Sequence, residues 1–174
     1  HVHLSMVRDA AGKPLHSVAI VQNITERKRV QEALRQSQER YRLATQAGRV
    51  AVFDWDLRTG EMYVDPLLKS SLGYEDLEIP DDLGGWEPLI HREDFPLIQQ
   101  RLLDYLDGKR PYYELESRAF HRHGSVHWFD TRGEAFRDAS GRPLRIIGTV
   151  VDITERKRAE RQRERGRRVA RIER

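Results

Sequence analysis

The seven residues NITERKR at Asn23–Arg29 return as DITERKR at Asp152–Arg158. The likeness starts further upstream, since RDAAGKPLHSVAIVQNITERKR and RDASGRPLRIIGTVVDITERKR align without a gap and agree at 13 of 22 positions. A repeat defines the unit of architecture, and the complete unit lies between about Tyr41 and Glu155. We therefore expect an excerpt of a longer protein, with the tail of one domain, a linker, one complete domain and the start of another linker.

Charge is distributed unevenly along the 174 residues, whose net charge is +3. Residues 1–40 carry +3, residues 41–154 carry −6 and residues 155–174 carry +6. The acidic middle argues against a nucleic-acid-binding face on the folded domain. The sequence contains no cysteine, which excludes disulfides and thiolate metal ligands and fits a cytoplasmic protein. No apolar run approaches the roughly 18 residues that a membrane span needs.

The N-terminal part predicts a hairpin followed by a long polar helix. Strands at 5–7 and 17–23 flank a turn with Gly12 and Pro14, and residues 25–46 contain strong helix formers without Gly or Pro. We interpret this helix as a linker that pairs in a parallel homodimer, with a solvated connector as the alternative. The interpretation depends on a weak heptad seam, whose small or apolar members are Val30, Leu34, Ser37, Tyr41 and Ala44.

The rest of the chain predicts two short strands, several short helices and three long strands. Alternation places Ala51, Phe53, Trp55 and Leu57 on one face of the first strand. Asp94 is positioned to cap the longest of the helices. The short turns between the last three strands predict antiparallel neighbours, so we expect an α+β domain with one antiparallel sheet. The predicted strands are 51–57, 61–65, 112–120, 125–137 and 143–153, and the predicted helices are 66–72, 86–90 and 95–106.

The repeated phrase also predicts a tight joint between a strand and a helix. Asp152 can accept a hydrogen bond from an early amide of the next helix, and Glu155 can reach back to the amide of Asp152, as in a capping box. Thr154 suits the first helical turn. Such a joint would turn a shift of the strand into a tilt of the helix, so we assign signal coupling to Asp152, Thr154 and Glu155. The alternative is that the phrase is only a good helix start, worth about 1 kcal/mol.

At this point the sequence resembles the PAS domains of bacterial sensory proteins, in the PAS_3-like form with a trailing PAC segment. The resemblance implies a PAS fold: a five-stranded antiparallel sheet with short helices on one face, flanked by N- and C-terminal linker helices. Arg92 stands where the family commonly has a proline, and Arg122 and His123 replace a proline–aspartate pair, but both departures lie in surface turns. The resemblance rests on RYRLATQAGRVAVFDWDLRTGEMY, LIHREDF, ELESRAFHRHGSVHWFDTRGEAFRDASGRPLRIIGTVVDITERKRAE and the earlier VQNITERKR.

The resemblance further implies a small-molecule pocket between the sheet and the helices. A covalent flavin adduct needs a cysteine, which this chain lacks. Haem is disfavoured because the helix at 95–106 has no histidine, and His91 stands just before it. The cofactor stays unknown, with a non-covalent flavin or a small metabolite as possibilities, and the aromatic candidates could instead be simple core residues. The candidate pocket residues are Phe53, Trp55, Ser117 and Trp128.

Other polar clusters predict structure rather than chemistry. His121 and His123 lack a suitably spaced carboxylate, so we expect no metal site. Glu114 and Glu116 have no nucleophile or base pattern beside them, so we expect salt bridges across the sheet and no catalytic residue. The arginine-rich residues 155–174 are interpreted as a solvated helix rather than a nucleic-acid-binding segment.

These observations predict a sensory and dimerisation PAS module that is not itself an enzyme. We expect it to pass ligand- or partner-induced changes through its C-terminal helix to an output domain of the same chain, such as a histidine kinase or a diguanylate cyclase or phosphodiesterase. The alternatives are a ligand-free PAS spacer and a nucleic-acid-binding fragment that acts through its basic ends. The expected boundaries are 1–24 for the hairpin of a preceding PAS/PAC unit, 25–46 for a linker helix, 47–154 for the PAS domain and 155–174 for the signalling helix.

Overall fold

The computed structural model describes the backbone of residues 2–172 and the side chains of that range other than those of residues 2, 15, 19 and 168–172. The chain folds into two compact units, 1–44 and 45–174. Within the described range, every helix is too short or too polar to cross a lipid bilayer.

The first unit consists of a β-hairpin and most of a long helix. Strands β1 (Val2–Arg8) and β2 (Pro14–Val21) pair antiparallel. Helix α1 (Thr25–Gly48) covers the predicted 25–46 and extends two residues further. Every side chain described in residues 1–44 is at least partly exposed, since a two-stranded hairpin has little to bury against.

The second unit is built on a five-stranded sheet with the order β4-β3-β7-β6-β5. All of its neighbouring strands are antiparallel, which confirms the predicted α+β class with one antiparallel sheet. Strand β3 opens the sheet and pairs with β7, which closes it, so the two ends of the unit meet in the middle of the sheet. The strands are β3 (Val50–Asp56), β4 (Met62–Val64), β5 (Tyr113–Phe120), β6 (Val126–Arg137) and β7 (Pro143–Asp152).

Short helices fill the connection between β4 and β5, as predicted. The helix expected at 86–90 is instead two short segments that meet at Trp86, namely one α-helical turn and a 3₁₀ turn at Glu87–Leu89. The helices of this unit are α2 (Pro66–Ser71), α3 (Leu83–Trp86), α4 (Phe95–Leu106) and α5 (Thr154–Ile172).

Helix α4 has the predicted bounds, but its expected cap is wrong. Asp94 makes no capping hydrogen bond. Its carboxylate instead accepts from the backbone amide of Arg118 at 2.7 Å and from the guanidinium of the same residue at 2.5 Å. A charge-assisted bond to a guanidinium is stronger than a bond to a neutral amide, so a partner on β5 displaces the local cap.

Helix α2 contains a buried charge that sequence reasoning missed. Lys69 is 2% exposed, and its ammonium lies 2.9 Å from the carboxylates of Asp76 and Asp81. Burial would lower the pKa of Lys69, but the hydrogen bonds to Asp81 and Asp76 outweigh it and raise the pKa. These two ion pairs therefore connect α2 to the loop that follows it.

The core lies between the inner face of the sheet and the short helices. Ala51 and Phe53 are buried, and Trp55 and Leu57 pack against them, as the alternation predicts. Gly148 opposes Phe53 across the sheet, where a Cβ atom would collide with the carbonyl oxygen of Arg132 and with the phenyl ring. Only glycine allows the phenyl ring to lie flat on β7 at this point.

The two copies of the repeat form the same turn. In the first copy, the carboxylate of Asp9 accepts from the amides two and four residues later, both at 2.9 Å. In the second copy, Asp138 does the same at 2.9 and 3.0 Å. Gly12 and Gly141 have φ of 80° and 84°, values that favour glycine. The sequence repeat is thus a structural repeat at the level of single hydrogen bonds.

Candidate functional site

A cavity of about 170 Å³ lies between the inner face of the sheet and helices α2 to α4. The structure places three of the four predicted pocket residues, Phe53, Trp55 and Ser117, around this cavity. Ser117 lies on β5, where alternate residues Tyr113, Leu115 and Ala119 also line the cavity. The remaining wall is largely apolar and comes from the helical side, including Trp86 and Ile98, which the sequence did not single out.

Trp128 corrects the expected pocket, because it lies on the other face of the sheet. Successive side chains of a strand point to opposite faces, so the inward position of Phe129 places Trp128 on the outer face. Phe129 is 4% exposed and lines the cavity. The ring of Trp128 instead faces the exit helix α5, with the ammonium of Lys157 5.2 Å from its centre.

Two polar groups beside the cavity lack partners. The indole nitrogens of Trp55 and Trp86 are buried and have no hydrogen-bond acceptor among the described residues. Burial alone raises the pKa of the Tyr113 phenol to about 12, so this group stays neutral at physiological pH. The lining also includes three neutral residues with polar side chains, namely Ser117, Thr131 and Gln99.

The lining includes one charged residue whose charge is already balanced. The guanidinium of Arg118 donates to Asp94 at 2.5 Å and to Glu93 at 2.8 Å. Hydrogen bonds from Arg118 lower the pKa of Asp94 below its ordinary value, although burial opposes the shift. The Arg118–Asp94 pair therefore stays ionised at neutral pH, and its guanidinium already has carboxylate partners.

The cavity limits the cofactors that this chain can hold. Pockets for drug-sized ligands commonly measure roughly 300–1,000 Å³, so the present volume of about 170 Å³ suits a small metabolite better than a three-ring flavin. None of the lining residues is a histidine that could bind haem iron. His91 lies outside the cavity wall, where its ring stacks on Phe120 with centroids 5.3 Å apart.

A second site is the joint at which β7 passes into α5. The amide of Thr154 donates to the carboxylate of Asp152 at 2.8 Å, as the sequence predicts. The buried hydroxyl of Thr154 accepts from the amide of Trp128 at 2.9 Å, and the amide of Ile153 donates to the carbonyl of Trp128 at 2.8 Å. The helix therefore begins while its first residues are still bonded to β6.

The predicted capping box does not form at this joint. Glu155 does not reach back to Asp152, and its carboxylate accepts instead from Arg158 at 2.6 Å. Asp152 is still part of β7 and pairs with Phe129 of β6. The strand geometry persists up to the helix start, so the backbone of Asp152 is engaged with the sheet rather than with Glu155.

His127 supplies the other contact of Asp152. Its Nδ1 lies 3.1 Å from the second carboxylate oxygen of Asp152. Burial alone would raise the pKa of Asp152, but hydrogen bonds from Thr154 and the contact with His127 outweigh it and lower the pKa. The His127 ring also stacks on His121, whose centroid is 5.3 Å away. Across residues 2–172 no group of His, Asp and Glu is arranged to hold a metal ion.

Salt bridges fasten the first turns of α5 to the sheet. Glu116, which was expected to pair across the sheet, instead binds Arg156 and Lys157 of α5. Lys157 and Arg161 both lie over the ring of Trp128, at 5.2 and 5.8 Å. Helix α5 thus leaves the domain along the outer face of β5 and β6, directly behind the strand residues that line the cavity.

Comparisons with known proteins agree with this architecture. The PAS fold family matches residues 61–150. A solved sensory box histidine kinase/response regulator from Burkholderia thailandensis is 33% identical, with a TM-score of 0.65 over 76% of this chain and 98% of that one. Two curated relatives are "Probable diguanylate cyclase DgcE" of Escherichia coli (29% identical) and a blue-light-activated histidine kinase of Brucella anthropi (25% identical).

The curated relatives are much longer proteins. The match with the Escherichia coli protein covers 87% of this chain and 14% of the relative, and the match with the Brucella anthropi protein covers 91% and 34%. The family match spans more than half of this chain, and the solved relative shares its fold and a third of its residues. The chain therefore belongs to the PAS fold family, as a sensor domain of the kind found in bacterial histidine kinases and diguanylate cyclases.

Proposed function

We propose that the second unit binds a small molecule in the cavity and passes the resulting change to helix α5. One observation carries the proposal: of two neighbouring residues of β6, one lines the cavity and the other holds the start of α5. Phe129 lines the cavity, and Trp128 makes backbone bonds to both Ile153 and Thr154. A ligand that displaces the backbone at Phe129 also displaces its neighbour Trp128 and so disturbs the bonds that hold the start of α5.

The proposed change is a shift in the equilibrium between two arrangements of the joint between β7 and α5. A ligand shifts such an equilibrium only by its difference in affinity for the two states. The short bonds at Ile153 and Thr154 define one state, in which α5 is fastened to the sheet. Loosening of these bonds would define the other state and would free the first turns of α5.

The substitution Asp152→Ala tests this coupling. It removes the acceptor for the Thr154 amide and the partner of His127, while the cavity residues stay in place. We expect faster hydrogen exchange at the first amides of α5, and an altered output activity when the substitution is placed in the longer parent protein. Unchanged output and unchanged exchange would together refute the coupling role of this joint.

Asp138→Ala is the matched control for this experiment. Asp138 also accepts backbone hydrogen bonds in a tight turn, but that turn joins β6 to β7 at the end away from α5. We expect Asp138→Ala to loosen its own turn and leave the exchange of α5 unchanged. An equal effect of both variants on α5 would indicate general destabilisation rather than coupling.

The cavity favours a ligand-binding role over a ligand-free spacer. Buried indole donors without acceptors destabilise the folded state. A domain that serves only as a linker has no function that would offset this loss of stability. Native mass spectrometry of the purified protein distinguishes the two roles. A retained small molecule supports the sensor, and a protein that never retains or binds one supports the spacer.

We further propose that the helices on either side of the domain form a homodimer and connect it to an output domain of the same chain. The seam residues Val30, Leu34 and Tyr41 are each at least half exposed on α1. An exposed apolar seam on a long polar helix is the pattern of a coiled-coil partner surface. Light scattering should give a dimer mass, and a monomer at all concentrations would contradict this. A cytoplasmic location stays a prediction of the sequence.

The basic ends give little support to nucleic-acid binding. In the first two turns of α5, Arg156 and Lys157 pair with Glu116, and Arg158 pairs with Glu155. Cations that are already paired gain less from contact with phosphates. Salt-dependent binding to DNA or RNA that is lost on deletion of residues 155–174 would nevertheless support this alternative.

A further inference from the structure

The two buried indole groups beside the cavity constrain what it can bind. Trp86 is 8% exposed, and the indole nitrogens of both Trp86 and Trp55 are fully buried without an acceptor among the described residues. An indole nitrogen can only donate a hydrogen bond. A buried donor without an acceptor destabilises the folded state, so a molecule that supplies acceptors recovers this free energy on binding.

The size of the cavity sets a second limit. Its volume is about 170 Å³. A cavity of roughly 150 Å³ lined by apolar side chains holds one benzene molecule. The cavity therefore has room for one ring with a small substituent and not for the three-ring system of a flavin.

The electrostatics of the wall set a third limit. Arg118 is the charged residue of the lining, and Asp94 and Glu93 already balance it. An ionised ligand would lose its hydration without meeting an unpaired counter-charge, which is strongly unfavourable. Neutral molecules are therefore preferred over anions and cations of the same shape.

We propose that the cavity binds an uncharged single-ring compound whose polar groups are hydrogen-bond acceptors, such as an aromatic ketone or aldehyde. The indole groups of Trp55 and Trp86 donate to these acceptors, and the aromatic and aliphatic wall contacts the ring. This inference rests on the proposed sensory function, because it names the class of molecule that the same site detects.

Nitrogen-15 NMR of the indole groups tests the proposal on the intact chain. The sequence contains three tryptophans, so the spectrum has three indole signals. Trp128 lies on the outer face and does not line the cavity, so its signal reports on the joint with α5 rather than on direct contact with a ligand. Acetophenone is the probe, and ethylbenzene, of nearly the same shape but without an acceptor, is its matched partner. We expect acetophenone to move the Trp55 and Trp86 signals by direct hydrogen bonding and the Trp128 signal by less, since Trp128 senses only a change at the joint with α5. Acetophenone should also bind roughly three- to tenfold more tightly than ethylbenzene.

Single substitutions assign the effect to each donor. Trp55→Phe and Trp86→Phe remove the N–H and keep an aromatic ring, so each should weaken acetophenone binding roughly three- to tenfold and leave ethylbenzene binding nearly unchanged. Trp128→Phe should change neither affinity. If a variant does not fold, the comparison of the two probes on the unsubstituted protein still decides the outcome.

Three results would overturn the inference. These are equal affinity for the two probes, tighter binding of benzoate than of acetophenone, and no movement of either indole signal at saturating acetophenone. The proposed function has a separate test, since a different molecule retained in native mass spectrometry would preserve the sensor and reject only this ligand class. Failure of both tests would support the ligand-free spacer.

Discussion

Arg118 shows how one side chain joins parts of the second unit that are far apart in the sequence. Its guanidinium binds Asp94 and Glu93 ahead of α4. The same guanidinium lies 5.5 Å from the centre of the Trp128 ring, which contacts α5 from the other side. The residue thus connects the helical wall of the cavity, the sheet and the exit helix.

At the scale of single residues, Asp94→Asn should destabilise the second unit by about 2 kcal/mol at neutral pH, because it removes a largely buried charge-assisted pair. The folded state lowers the pKa of Asp94, mainly through the hydrogen bonds from Arg118. The stabilisation is therefore complete above the unfolded pKa of about 3.9 and is lost as pH falls through the folded pKa. Urea unfolding of both proteins at pH 7 and at stepwise lower pH measures the difference.

Glu93→Gln is the matched control, because Glu93 binds the same guanidinium but is 75% exposed. Exposed ion pairs contribute about 0–1 kcal/mol, so this variant should differ little from the parent at any pH. If both variants lose the same free energy of unfolding, the burial of Asp94 does not explain the stabilisation by its ion pair.

At the scale of elements, the joint between β7 and α5 predicts unequal roles for the two copies of one threonine. Thr154 is 4% exposed, and its hydroxyl accepts from the amide of Trp128, whereas Thr25 in the first copy is exposed. Thr154→Val leaves that buried amide without an acceptor and should cost about 1–3 kcal/mol. Thr25→Val should change stability by less than about 0.5 kcal/mol. Chemical denaturation measures both, and similar values would contradict the tertiary role of Thr154.

Local patterns predicted most of these elements, because strand alternation and helix stops act over a few residues. Helix α4 has the predicted bounds of 95–106, and Ser117 lines the cavity as expected. The pattern could not decide which of Trp128 and Phe129 faces inward, since alternation fixes only that they differ. That choice depends on the register of β6 with its neighbours.

Long-range partners account for the other missed features. The carboxylate of Asp94 binds a residue 24 positions later, and Glu116 binds α5 about 40 positions later. A sequence pattern predicts a helix cap correctly only when the side chain has no stronger partner elsewhere in the fold. Here Arg118 is such a partner for Asp94. Trp86 was missed for a similar reason, because the short helix that carries it has too few residues to show an apolar period.

At the scale of the whole molecule, the chain presents the same hairpin in two settings. In the second unit, β6 and β7 form the centre of a five-stranded sheet with a core on one face. In the first unit, β1 and β2 form an isolated pair with exposed apolar side chains such as Leu4 and Ile20. The repeated hairpin is therefore supported by a core in the second unit, whereas within the first unit it is held by strand pairing.

Hydrogen exchange should separate the two copies by orders of magnitude. An isolated two-stranded hairpin is at best marginally stable in water, so the amides of β2 should exchange through frequent local opening. The matching amides of β7 should exchange only through global unfolding, since Ile146 is fully buried and Val150 nearly so. Because Pro14–Val21 and Pro143–Val150 occupy the same repeat positions, their amides can be compared pair by pair after correction for the intrinsic exchange rate of each sequence. Equal protection in a dilute sample would show that a second copy or another partner covers the first hairpin, and a concentration series would tell these two apart.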